Sequence, residues 1–69
     1  MKAQRITLRA ARVNANLSQR EAAKALGINV TTLQNYESGK TIPDWRTVKR
    51  IEEIYNFPAD FIIFAQNSA

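Results

Sequence analysis

The stretch "LSQREAAKALGINVTTLQNYESGK", Leu17 to Lys40, restricts the fold more than any other part of the chain. It holds two short helical patterns with only Gly27, Ile28 and Asn29 between them. "SQRE" has the form of a capping box, in which Ser18 accepts from the Glu21 backbone N–H and Glu21 reaches back to Ser18. Ala22, Ala23 and Leu26 then share one face. Gly27 suits the left-handed position that ends a helix. Asn29 is a suitable N-cap for a second helix whose inner stripe is Leu33 and Tyr36, closed by Ser38-Gly39. Ala22 and Ala23, being small, would let another helix approach closely.

The rest of the chain reads as helix too. Strand-type alternation is scarce and there are two Gly and two Pro in 69 residues, which favours a single all-α domain spanning 1–69. Leu8, Ala11 and Ala15 mark a first helix at about 6–15, ended by Asn16. The two patterns above give helices at about 19–26 and 30–38. Asp44 caps a fourth at about 45–55, with Trp45, Val48, Ile51 and Tyr55 expected inward and Asn56 ending it. "PADFIIF" suggests a fifth at about 59–64, with Pro58 at its start.

Composition narrows the function. With no cysteine and no histidine, the chain lacks the usual metal ligands and the commonest general base. No carboxylate pair stands beside a plausible acid–base partner, so we expect neither an enzyme, a metal, a cofactor nor a small-molecule ligand. Ten Lys and Arg against six Asp and Glu give a net charge of +4. The excess is concentrated at the start: Lys2, Arg5, Arg9, Arg12, Arg20 and Lys24 face Glu21 alone within residues 1–24. Such a surface suits an anionic partner, nucleic acid being the commonest. No apolar run approaches the roughly 18 residues that a membrane span needs. The start, "MKAQRITLRAAR", is too polar for a secretory leader, so a cytoplasmic location is expected.

The segments "LSQREAAKALGI", "TTLQNYESGK", "IPDWRTVKRI" and "NFPADFI", together with Arg12, resemble the Cro and phage-repressor type of helix-turn-helix DNA-binding domain. The specific part is the combination of Ser18-Gln19, Ala23, Gly27 and the ending Tyr36-Glu37-x-Gly39-Lys40. The resemblance implies a compact five-helix, lambda-repressor-like fold, with helices two and three forming the helix-turn-helix. It implies a sequence-specific regulator, a small phage- or prophage-type repressor, that inserts its third helix into the major groove of double-stranded DNA. Val30, Thr31 and Asn35 match base-reading positions, with Gln34 beside them. Gln19, Asn29, Thr32 and Lys40 match phosphate-contacting or positioning residues, and Arg9 is among the basic groups expected to hold phosphate. Arg12 and Glu37 match a pair that forms a salt bridge between the first helix and the end of the third. Ala22 is smaller, and Trp45 and Tyr55 larger, than the aliphatics usual at those positions, which bears on packing rather than on reading.

"FIIF" at 61–64 is apolar on every side, more than one short helix can bury. Phe61, Ile63 and Phe64 are therefore expected to form a homodimer surface on the C-terminal helix. An alternative use of the same fold is a protein-interaction or antitoxin-like module that reads no operator.

Overall fold

A computed structural model of the protein describes residues 5–64. Four α-helices carry the fold: α1 (Leu8–Asn14), α2 (Gln19–Leu26), α3 (Val30–Ser38) and α4 (Trp45–Tyr55). Two short strands, β1 (Ile6–Thr7) and β2 (Ile62–Ile63), flank them, and a single 3-10 turn at Ala59–Phe61 leads into β2. The core is Leu8, Ala11, Ala22, Ala23, Leu26, Leu33, Ile51, Tyr55 and Ile62. Every helix contributes to it, as a chain this short requires.

The helix boundaries follow local chemistry. Ser18 Oγ accepts from the Glu21 N–H at 3.0 Å, and the Ser18 N–H donates to Glu21 Oε1 at 2.9 Å. The bond from the Ser18 N–H favours the ionised carboxylate and holds the Glu21 pKa below its ordinary value. Asp44 caps α4 by accepting from the Thr47 N–H at 2.8 Å, with the same effect on its own carboxyl. Asn16 and Asn56 take the left-handed conformation, φ 61° and 52°. Both supply short polar side chains where glycine would otherwise be needed.

Two expected helices are shortened by strand pairing. The first begins at Leu8 rather than Ile6, because Thr7 is extended and accepts from the Ala10 N–H at 3.0 Å as N-cap. The fifth helix, expected at 59–64, is absent: one 3-10 turn is followed by β2, which pairs in parallel with β1, Ile6 opposite Ile62 and Thr7 opposite Ile63. The reason lies in the side chains. Ile62 and Ile63 are β-branched and favour extended backbone. Extension also alternates the faces, so Ile62 enters the core at 5% exposure while Ile63 stays half-buried. Glu52 fixes the approach by accepting from the Ala59 N–H at 2.8 Å.

Trp45 is a further correction. It was expected in the inner stripe of α4 but is 74% exposed. The first turn of α4 overhangs the core, and Pro43, immediately before the cap, is the buried residue there. The Trp45 ring lies on the surface with Lys49 Nζ 5.3 Å from its centroid.

Candidate nucleic-acid interface

The interface is built on the crossing of α2 and α3. Ala22 and Ala23 are buried in the core that Leu33 of α3 also enters. The turn between the helices is held by its own backbone. Gly27 stands at φ 73°, and the Ile28 N–H donates to the Ala23 carbonyl at 3.0 Å. A Cβ at Gly27 would meet no atom within 4 Å, so the demand for glycine comes from φ alone. We therefore expect Gly27→Ala to lower stability by about 1–2 kcal/mol, and Gly27→Asn by less, in urea titrations.

α3 has two unlike faces. Leu33 is fully buried and Tyr36 packs against the core. Thr31 and Gln34 are exposed, while Thr32 and Asn35 are half-buried. Val30, read as a base contact, is half-buried and packs on the core, so it has structural work as well. Asn35 anchors the helix end through its carbonyl, which accepts from the N–H groups of Lys40 at 3.0 Å and Thr41 at 3.3 Å. Its side-chain amide has no hydrogen-bond partner among the described residues. Asn29 stands at the N-cap of α3 with extended backbone, yet its side chain makes no capping bond. The side-chain capping expected of Asn29 is therefore not made; its carbonyl accepts only the ordinary first helical bond, from the Leu33 N–H at 3.1 Å. Lys40, just after α3, and Arg9 of α1 are exposed.

A hydrogen-bonded ion pair lies behind it. Arg12 Nε donates to Glu37 Oε2 at 2.7 Å, and Arg12 Nη1 donates to the Leu17 carbonyl at 2.8 Å. The two side chains are only 9% and 6% exposed, so this contact is shielded from water. Gln19 Nε2 donates to Glu37 Oε1 at 2.9 Å, and Gln34 Nε2 donates to Gln19 Oε1 at 3.3 Å. A chain of side chains therefore runs from α1 through the ends of α3 and α2 to the outer face of α3. Arg9, Ser18, Gln19, Gln34 and Ser38 rim an open concavity above the pair. Arg9 is the one cation of that lining without a carboxylate partner among the described residues, so the rim offers polar groups and one positive charge.

One member of this surrounding was not legible in the sequence. Tyr55 of α4 is 2% exposed, and its hydroxyl has no hydrogen-bond partner among the described residues. Burial, reinforced by the negative charge of Glu37 and opposed by Arg12, pushes its pKa up to about 12. Helical spacing marked Tyr55 as core but gave no sign that it faces the ion pair. Phe61, Ile63 and Phe64 lie at the other end of the chain. Phe61 is 36% exposed, while Ile63 and Phe64 are half-buried, Phe64 against the core. The apolar remainder is smaller than one exposed helix would leave.

Comparison with known proteins gives a consistent picture. A family model described as helix-turn-helix matches residues 8–62. The chain is 36% identical over 56 residues to the HTH-type transcriptional regulator ImmR of Bacillus subtilis (strain 168). The match covers 81% of this chain and 44% of that protein, so the chain spans less than half the length of its relative. No solved structure matches.

Proposed function

Because this chain belongs to the helix-turn-helix family, of the Cro and phage-repressor type, we propose that it is a sequence-specific transcriptional regulator. In this reading it is a small repressor of phage or prophage type that lays α3 in the major groove of double-stranded DNA. The observation that carries the reading is the division of α3 into a buried face around Leu33 and an outer face bearing Thr31, Gln34 and Asn35. A B-DNA major groove is wide enough for one helix, and amides and hydroxyls are the groups that read its edges. Thr31 offers a methyl for thymine and Asn35 an amide for adenine. Gln19, Asn29, Thr32, Lys40 and Arg9 surround that face and would hold phosphates.

Two-fold pairing belongs to the same proposal. A single recognition helix reads only a few base pairs, and a dimer doubles the site. Phe61, Ile63 and Phe64 are the surface we assign to it, supported by the outer edge of β2, which pairs with no second strand among the described residues. Sedimentation equilibrium should show a dimer that Phe61→Ser weakens. A monomer at all concentrations would remove this part of the proposal.

The DNA-reading function is tested by mobility shift against genomic fragments. A discrete, salt-sensitive complex is expected, since phosphate contacts release counterions. Asn35→Ala should lower specific affinity by roughly tenfold or more at unchanged thermal stability. Binding no better than to random DNA, with Asn35→Ala silent, would instead favour a protein-docking role.

A further inference from the structure

The approach to α4 presents two large apolar groups to solvent. Trp45 is 74% exposed and Ile42 is 61% exposed. The backbone that carries them is fixed. Pro43 between them is buried, and Asp44 holds the first turn of α4 by accepting from the Thr47 N–H at 2.8 Å. Lys49, one helical turn beyond Trp45, places its Nζ 5.3 Å from the indole centroid. The opposite side of α4 is buried through Ile51 and Tyr55. Its outward side therefore carries Trp45, Arg46, Lys49, Arg50 and Glu53, all exposed. One exposed apolar residue is ordinary, but an indole and an isoleucine on rigid backbone, rimmed by charge, have the form of an interaction surface.

Charge says what kind of partner fits. Arg46, Lys49 and Arg50 form no ion pair among the described residues. Against them stand Glu53 and the Asp44 carboxylate, which is already engaged by the cap. The surface thus attracts anions. Phosphates alone would answer the three cations and leave the indole and Ile42 in water. A protein segment that sets Asp or Glu around a large apolar side chain answers both. Its apolar group covers Trp45 and Ile42, and its carboxylates meet the cations at the margin. Trp and Arg are the side chains that most often dominate such contacts. We propose that the outward side of α4, together with Ile42, docks an acidic protein segment anchored by an aliphatic or aromatic side chain. None of these residues is among those assigned to DNA, so the proposal stands apart from DNA reading.

Short random peptides displayed on phage, selected on the immobilised protein and then synthesised, test it. Trp45 is the only tryptophan in the chain, so its fluorescence reports directly on this surface. Selected peptides should combine Asp or Glu with Leu or an aromatic residue. They should move the Trp45 emission to shorter wavelength as they saturate the protein. By calorimetry, Trp45→Ser should weaken their binding by roughly tenfold or more. The charge reversal Arg46→Glu with Lys49→Glu should do the same, and added salt should weaken binding to the wild type. Both variants change exposed side chains, so melting close to that of the wild type is expected and excludes misfolding as the cause. Failure to select any peptide, or peptides bound equally by the wild type and both variants, would overturn the proposal. A Trp45→Ser protein that loses affinity for duplex DNA, while no peptide moves the Trp45 emission, would overturn it too and give this surface to nucleic acid.

Discussion

Glu37→Ala is expected to destabilise the domain by about 3–5 kcal/mol, the range seen when one partner of a buried ion pair is removed. Both side chains are nearly inaccessible, so the remaining Arg12 guanidinium cannot recover its hydration. It would keep one hydrogen bond, to the Leu17 carbonyl at 2.8 Å, and lose its only counter-charge among the described residues. Gln19 would lose its acceptor in the same step. Small domains have total stabilities on the order of 5 kcal/mol, so the variant should lie close to unfolding at room temperature. A paired replacement, Arg12→Met with Glu37→Leu, removes both charges and should recover most of the loss. That asymmetry distinguishes an orienting pair from a stabilising one. Thermal melting followed by circular dichroism checks it, and a Glu37→Ala protein that melts within a few degrees of wild type would contradict it.

Alkaline pH should destabilise the protein through Tyr55. A free tyrosine ionises near pH 10, whereas the buried hydroxyl does so at about 12. Below pH 10 the hydroxyl is protonated in both folded and unfolded chains, and stability does not depend on it. Between pH 10 and about 12 the unfolded chain releases this proton and the folded chain keeps it. Stability therefore falls as pH rises, by roughly 3 kcal/mol across the window, and the loss levels off above it. Tyr55→Phe should abolish this component. It should also raise stability at neutral pH by about 1 kcal/mol, because it removes a buried hydroxyl without a partner. Urea titrations at a series of pH values measure both. Parallel pH profiles for wild type and Tyr55→Phe would contradict the placement of that hydroxyl.

Much of the scaffold was legible in the chain because it is locally encoded. Ser18 with Glu21, Gly27, Asp44 and Asn56 act within a few residues of themselves, so the ends of α2 and α4 follow from spacing alone. The third helix is equally local in its bounds, Val30 to Ser38. What spacing could not reveal depends on distant partners. Ile6 and Thr7 lie extended because Ile62 and Ile63 pair with them from the far end of the chain, and apolar "FIIF" reads equally well as helix or strand. Trp45 looked inward by period, yet the first turn of α4 reaches past the core. Within the candidate site, the resemblance carried the identities of Arg12, Glu37 and Gln19. The direction of the bond from Gln34 to Gln19, and the place of Tyr55 beside the pair, required three dimensions.

In the proposed function the outer face of α3 meets DNA. Amide chemical-shift mapping by NMR, during titration with a selected DNA site, checks that contact residue by residue. The largest changes should fall at Thr31, Gln34 and Asn35, with a second group at Gln19 and Lys40, and little at Ala25 and Glu53 on outward faces of α2 and α4. Changes centred on Phe61 to Phe64, with α3 unmoved, would contradict it.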